Sequence, residues 1–359
     1  MLTDADYMER ALLHAGRGRG RTSPNPVVGA LVVANDVVVG WGYHERAGEA
    51  HAEVRALNAA GDRARGATLY STLEPCCHTG RTGPCTERII QAGIRRVVAA
   101  VRDPNPRVAG GGFAALRAGG IEVLDGVLGD EAARVNQPFF TWVAHGRPFV
   151  TMKIALSGDG RVAASPGIRT PITGSASNRQ VHRDRAETDA IGIGAGTVLS
   201  DDPLLTARGA WRARPLTRVV FDRSLRIPAA ARLFSTLTAG PVIVCTSANA
   251  VDGGAAAALT RAGAQLEAIR GDFLPEALRR LGDLGVTSII LEGGPALHGS
   301  VWRARLVDRV QLYIGRHALG GDGVPWLDDA TFPLGALSRV TTRWLDGDLL
   351  IEGDVHGTH

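Results

Sequence analysis

Cysteine is scarce, with four residues in 359. A chain this long needs no staple, so a disulfide scaffold is excluded and a reducing, cytoplasmic setting is expected. Long apolar runs are missing too. None approaches the ~18 residues of a membrane span. The opening Met1-Leu2-Thr3-Asp4-Ala5-Asp6 has neither the basic nor the apolar segment of a secretory leader, so none is expected. Charge of one sign is also lacking. The 40 basic and 36 acidic residues leave a net +4. That falls short of a dedicated nucleic-acid binder and suits an anionic small molecule. What is present is an apolar share of 45%, ordinary for globular protein. The length suits two domains or one large one, and each half can bury its own core.

Three of the four cysteines fall in one stretch, Ser71-Thr72-Leu73-Glu74-Pro75-Cys76-Cys77-His78-Thr79-Gly80-Arg81-Thr82-Gly83-Pro84-Cys85. Upstream, His51-Ala52-Glu53 opens a helical pattern. One imidazole and two separated thiols, from His51, Cys76 and Cys85, form a donor set that holds zinc and leaves a fourth position for water. Zinc brings the pKa of bound water to about 7, and the water then needs a carboxylate that moves protons without ligating the metal. Glu53 fits that catalytic role. It lies two residues beyond His51, so the two side chains leave the helix start on different faces. Cys85 opens a helix expected over 85–92, where the helix N-terminus favours thiolate. Two plainer readings stand beside this one. A Cys76–Cys85 disulfide does not suit the compartment. A structural zinc with Cys77 as fourth ligand leaves Glu53 without a task. His-x-Glu followed by Pro-Cys is the signature of zinc-dependent base deaminases, although here eight residues separate Cys76 from Cys85.

Around this stretch, Thr3 with Asp4, Asp6 and Glu9 reads as a helix start. Asn35-Asp36 reads as a hairpin turn between strands at 27–33 and 37–43. Further strands at 67–73, 96–101 and 121–124 alternate with helices, which implies a mixed sheet between helices. The Gly16-Arg17-Gly18-Arg19-Gly20-Arg21 run reads as a surface loop. Asn25, locked between Pro24 and Pro26, is able to show a base edge both a donor and an acceptor. Residues 137–148 read as the junction, their aromatics packed between domains. In the second half, Lys153 interrupts an apolar strand at 149–155. Strands are expected at 189–196, 218–222, 241–245 and 288–291. Glycines 192, 194 and 196, and again Glu292-Gly293-Gly294-Pro295, put a strand, a tight turn and a helix start in succession. That arrangement offers backbone N–H groups to a pyrophosphate without the Rossmann fingerprint.

With its long insert, the first half closely resembles the deaminase half of the bifunctional riboflavin-biosynthesis deaminase/reductase family. Pro24-Asn25-Pro26-x-Val28-Gly29 and Asp103-Pro104-Asn105-Pro106-x-Val108-x-Gly110 match that family's substrate loops. The second half is similar to its reductase in Lys153-x-Ala155-x-Ser157-x-Asp159-Gly160, Gly194-x-Gly196-Thr197-Val198, Asp201-Asp202-Pro203-x-Leu205-Thr206-x-Arg208 and Glu292-Gly293-Gly294-Pro295.

The resemblance implies an α/β chain of two domains. Residues 1–146 would form a cytidine-deaminase-like α/β/α sandwich with a mixed sheet, a zinc-dependent pyrimidine deaminase. Residues 147–359 would form a dihydrofolate-reductase-like α/β domain, an NADPH-dependent reductase. Implied deaminase substrate contacts are Asn25, His44, His78, Arg81 and Asn105. Implied cofactor contacts are Leu156, Thr197, Asp201, Gly294, Pro295, Ala296, Leu297, His298, Gly299 and Ser300. Implied reductase substrate contacts are Lys153, Arg185, Leu205, Arg208 and Glu292, with arginines suited to a phosphate. The cofactors are then Zn2+ and NADPH. The substrate is a pyrimidine ribose phosphate, 2,5-diamino-6-ribosylamino-4(3H)-pyrimidinone 5′-phosphate. It is deaminated, then reduced to 5-amino-6-ribitylaminouracil 5′-phosphate. A homo-oligomer with no nucleic-acid or membrane partner is expected. Two positions depart from the family, Gly158 in place of leucine and Pro171 in place of a tryptophan near the cofactor. The second implies weaker cofactor binding. Rival readings are a nucleic-acid base deaminase with an accessory domain, a deaminase whose reductase-like half is inactive, and a zinc-stabilised binding protein.

Overall fold

The structure is a computed structural model and describes residues 2–78, 83–106, 108–168, 170–326 and 334–355. The chain divides into two compact units, Met1–His145 and Gly146–His359.

The first unit begins with helix α1 (Asp4–Gly16), where Thr3 and Asp6 form a reciprocal capping box and satisfy N–H groups that a helix start leaves unpaired. Strands β1 (Gly29–Ala34) and β2 (Val37–Tyr43) form a hairpin. Asn35 and Asp36 turn it with φ of 51° and 62°, the paired left-handed geometry that a two-residue turn between twisted strands needs and that Asn and Asp tolerate. Then follow helix α2 (Ala52–Ala60), β3 (Thr68–Ser71), helix α3 (Cys85–Gln91), β4 (Arg96–Ala99), helix α4 (Gly111–Ala118), β5 (Glu122–Asp125) and helices α5 (Gly129–Val135) and α6 (Gln137–His145). The sheet runs β2-β1-β3-β4-β5. β1 is antiparallel to both neighbours, and β3, β4 and β5 are parallel.

β1 is apolar on both faces because both are covered. Leu31 and Val33 pack with Met8 and Ala11 of α1, while Ala30 and Val32 pack with Ala52, Ala56 and Leu57 of α2, as a side-chain period of two requires. α2 lies very close to β2. A Cβ on Gly40 would stand 2.3 Å from the Ala56 carbonyl oxygen. This contact seats α2, and with it the side chains at its start.

The boundary between the two units falls at Gly146, inside the 137–148 stretch read as the junction. Gln137–His145 is the helix α6, in the first unit. Pro138 sits in its first turn, where a missing N–H leaves no bond unmade. Phe139 and Trp142 of α6 line a cavity of the first unit.

The second unit runs β6 (Phe149–Leu156), β7 (Arg161–Ala163), helix α7 (Ser175–Glu187), β8 (Ala190–Gly194), helix α8 (Ala195–Asp201), β9 (Thr217–Phe221) and β10 (Val242–Ser247). It continues with helix α9 (Gly254–Arg261), β11 (Ala264–Ile269), helix α10 (Phe273–Asp283), β12 (Ser288–Leu291), helix α11 (Pro295–Arg303), β13 (Arg309–Ile314), β14 (Val324–Pro325), β15 (Leu337–Leu345) and β16 (Asp348–Val355). Nine strands form one sheet in the order β11-β10-β9-β8-β12-β6-β13-β16-β15. It is parallel from β11 to β13 and antiparallel at β16 and β15. The strand expected over 189–196 stops at Gly194, and Gly196 and Thr197 belong to α8. One face packs Val150, Met152, Ile154, Ile289 and Leu291 against α10 and α11. The other packs Ile191, Ile193, Val220 and Val244 against α8 and α9. Among the described residues, no helix is long and apolar enough to cross a membrane.

Candidate active sites

In the first unit, α2, the turn after β3 and the start of α3 converge. His51 stands one residue before α2 in extended conformation (φ −69°, ψ 163°), so its ring leaves the helix start freely. Cys85 is the first residue of α3, and its N–H donates to Cys76 Sγ at 3.4 Å. His51 Nδ1 lies 3.3 Å from Cys85 Sγ and 3.5 Å from Cys76 Sγ. All three donor atoms lie within 4.8 Å of one another. Tetrahedral zinc, with bonds of about 2.3 Å to sulfur and about 2.0 Å to nitrogen, separates N from S by about 3.5 Å. The donor set fits that ion. Cys77 is not in the cluster. Its Sγ lies against Gly111, 3.0 Å from where a Cβ would stand.

The electrostatics agree with this chemistry. The Cys76 thiol is held down, first by the hydrogen bond from Cys85, against burial, and then by His51. Cys85 moves up, because it donates to Cys76 and is buried. Of the two thiols, Cys76 is the one disposed to the thiolate, the metal-binding form. Glu53, 4% exposed, is pushed up by burial, with His51 opposing.

His51, Glu53 and Cys76 open on a cavity of about 410 Å³, whose wall includes Asn25, His44, His78 and Asn105. Burial pushes the His44 pKa down, so the ring is neutral. Its Nδ1 lies 3.4 Å from the Ala50 carbonyl oxygen, which only accepts, so Nδ1 carries the proton. Nε2, 3.1 Å from Asn25 Nδ2, then accepts from the amide. His78 Nδ1 is buried with no hydrogen-bond partner among the described residues. Arg81 lies outside the described residues.

Sequence reasoning assigned no role to several residues of this wall. Asp103 is buried and pushed up to about 6, chiefly by burial. Glu74 is 2% exposed and accepts hydrogen bonds from three backbone N–H groups. Phe139 and Trp142 line the same cavity. Their spacing of three, just after Pro138, was a helical signal.

A second cavity, of about 400 Å³, lies in the second unit. It brings together Lys153, Thr197, Asp201, Glu292, Gly294, Pro295 and His298, and Pro171 is in its wall. Leu156, Ala296, Leu297, Gly299, Ser300, Arg185, Leu205 and Arg208 are not among the lining residues. Leu156, Leu205 and Leu297 are buried in apolar cores. The Gly299 backbone is buried and the Ser300 hydroxyl donates to Ala296 O. Arg208 N donates to His182 Nδ1 at 3.1 Å. Arg185 grips Glu292 with two hydrogen bonds of 2.6 and 2.8 Å and also donates to Thr206 O.

Glu292 is at the centre of this charge network. Burial raises its pKa, but Arg185 and then Lys153 outweigh burial and hold it at about 2. Lys153 Nζ lies 3.5 Å from Glu292 and 5.7 Å above the Tyr313 ring. His298 Nε2 faces Leu291 O at 3.4 Å, and burial lowers the ring's pKa to about 4. The ring is neutral. α11 starts at Gly294 with no side-chain cap, so its first N–H groups point at the turn that an anionic cofactor would meet.

The family comparisons divide the chain as the two cavities do. Residues 1–101 match the cytidine and deoxycytidylate deaminase zinc-binding region, and residues 148–348 match the RibD C-terminal domain. Riboflavin biosynthesis protein RibD of Aquifex aeolicus is 41% identical over 88% of each chain. A solved RibD of Acinetobacter baumannii superposes with a TM-score of 0.87 at 34% identity, covering 98% of both chains. A solved diaminohydroxyphosphoribosylaminopyrimidine deaminase/5-amino-6-(5-phosphoribosylamino)uracil reductase of Thermotoga maritima superposes with a TM-score of 0.86 at 34% identity, again covering 98% of both.

Proposed function

The chain belongs to the RibD family of bifunctional riboflavin-biosynthesis enzymes, and on that premise we propose which residues carry its two reactions. The enzyme hydrolytically deaminates 2,5-diamino-6-ribosylamino-4(3H)-pyrimidinone 5′-phosphate and then reduces the ribosyl chain to ribityl. Its first unit is a cytidine-deaminase-like domain and its second a dihydrofolate-reductase-like domain.

The deaminase is assigned to residues 1–146. His51, Cys76 and Cys85 would hold Zn2+, which would supply Lewis acidity and a water that ionises near neutral pH. Glu53 handles the protons. It would take one proton from the water and pass it to the ring nitrogen, then take the second from the hydroxyl added at the ring carbon and give it to the amino group, which leaves as ammonia. Its raised affinity for a proton, caused by burial, suits that exchange. Asn25 has one amide N–H spent on His44 and keeps its carbonyl oxygen and a second N–H for the pyrimidine edge. Asn105 and His78 complete the wall, and Arg81 is assigned the substrate contact that the family resemblance implies.

The reductase is assigned to residues 147–359. NADPH supplies the hydride for the ribose C1′. Thr197, Asp201 and the turn Gly294-Pro295 with α11 would seat it. Lys153 is the only lysine in the 359 residues. It stands in the cavity wall 3.5 Å from Glu292, and a lysine gives up a proton where an arginine does not, so Lys153 is assigned proton delivery to the sugar oxygen. Arg185, Leu205 and Arg208 are assigned the substrate-holding role that the family resemblance implies, although none lines the second cavity. A homo-oligomer in the cytoplasm, without nucleic-acid partners, completes the reading.

The single observation that carries it is the His51, Cys76 and Cys85 cluster with Glu53 on the same cavity. Ammonia release and NADPH oxidation, both measured on the pyrimidine phosphate, test it. Both are expected. Ammonia without NADPH oxidation would leave a deaminase with an inactive second half. Neither product, from protein loaded with zinc, would refute both assignments.

A further inference from the structure

The loop that carries Asn105 is built around a carboxylate from another part of the chain. Glu74 follows β3 and lies two residues before Cys76. Its Oε2 accepts from Asp103 N at 3.2 Å and Gly110 N at 3.0 Å, and its Oε1 accepts from Phe113 N at 3.1 Å. The two ends of the loop are thereby tied to one buried group. Gly110 and Phe113 stand at the start of α4, whose N-cap Gly110 offers no side-chain acceptor of its own. Glu74 supplies that acceptor, where a negative group also meets the helix dipole favourably. The backbone leaves no slack. A Cβ on Gly112 would stand 2.1 Å from Pro75 O and 3.1 Å from Glu74 Oε1.

Inside the loop the bonds continue. Asp103 Oδ1 accepts from Asn105 N at 2.8 Å, and Asn105 O accepts from Val108 N and Ala109 N at 2.8 and 3.0 Å. Asn105 is thus fixed through a chain of hydrogen bonds that begins at Glu74. The segment that holds Glu74 also delivers the donor Cys76.

We propose that Glu74 is a positioning residue for deamination, registering the Asn105 loop against the metal-donor turn through its three backbone hydrogen bonds. The inference rests on the reading of Asn105 as a substrate contact. A glutamine keeps the size of Glu74 but replaces one oxygen with an amide NH2, which cannot accept. At least one of the three backbone N–H groups then faces a donor, and the loop shifts.

The test is a double-mutant cycle of Glu74→Gln with Asn105→Ala in the zinc-loaded full chain, following deamination, bound zinc and reduction of supplied deaminated substrate. Glu74→Gln is expected to keep one zinc per chain and the wild-type reduction rate. It is expected to raise the deamination KM about tenfold, with a smaller change in kcat, because binding geometry is what shifts. Cobalt substituted for zinc should keep its wild-type visible spectrum. In the double variant the losses should not multiply, since both changes disable one contact. Multiplying losses, or an altered cobalt spectrum, would overturn the proposal and make Glu74 a support of the metal turn alone. Asn105→Ala with wild-type KM would remove the substrate reading, and the proposal with it. If Glu74→Gln fails to fold, Glu74→Asp, which keeps the charge and shortens the reach, is read the same way.

Discussion

Replacing Arg185 with methionine strips a buried carboxylate of its main partner. The Arg185 and Glu292 side chains are 14% and 9% exposed. Water therefore cannot take over when the bidentate contact is lost. In the intact pair Glu292 sits at about 2, against an ordinary 4.5. That fall is worth roughly 3 kcal/mol in favour of the ionised group, at about 1.4 kcal/mol per pH unit. The folded pKa is the depressed one. Its stabilisation is therefore full above pH 4.5 and is lost as pH falls from 4.5 towards 2. In the variant, Lys153 alone faces Glu292 at 3.5 Å, and burial dominates. The folded pKa then rises above 4.5, and the sign reverses. The variant gains stability as pH is lowered from 7 towards 4.5. At pH 7 the loss should be ~3–5 kcal/mol, the range for breaking one side of a buried pair. Urea unfolding of the second unit's transition at pH 7 and pH 5 measures both quantities. Arg185→Met with Glu292→Gln should recover more than half of the loss, since no charge is then stranded. A single variant within about 1 kcal/mol of wild type, or one with the wild-type pH slope, would refute the reasoning.

Three further outcomes are expected. Cys85→Ser should lose zinc by metal analysis while Cys77→Ser retains it, and the reverse result would overturn the donor assignment. Gly40→Ala should lower the stability of the first unit by ~1–3 kcal/mol, read as a lower thermal midpoint, because its Cβ would stand 2.3 Å from Ala56 O. Pro171→Trp should tighten NADPH binding in a fluorescence titration, because Pro171 lines the second cavity. Unchanged or weaker binding would dissociate that position from the cofactor.

The donor set was legible because its chemistry is local. His51, Glu53, Cys76 and Cys85 lie in two short stretches; the structure gathers His51, Cys76 and Cys85 into one cluster and puts His51, Glu53 and Cys76 on one cavity. Strands with an apolar period or a glycine stop, such as β1, β2 and β12, were readable for the same reason. β15 was not, since most of its residues are exposed and no burial period marks it. The aromatics of α6 read as a junction because prolines bracket them, yet proline is at home in a helix's first turn. Glu74 was invisible in another way. Its three donors lie 29 to 39 residues further along the chain, and no local pattern announces a cap supplied from that distance. Arg185 likewise reads as a phosphate ligand in sequence. Only the fold shows its donors turned to Glu292 and Thr206 O.

The central claim is that two separate sites in one chain perform two reactions. Glu53→Gln tests it most directly, assayed for ammonia from the diamino substrate and, separately, for NADPH oxidation with deaminated substrate supplied. The account predicts retained zinc, deamination slowed ~10²–10⁴-fold and reduction at the wild-type rate. Equal loss of both activities, with zinc still bound, would contradict it.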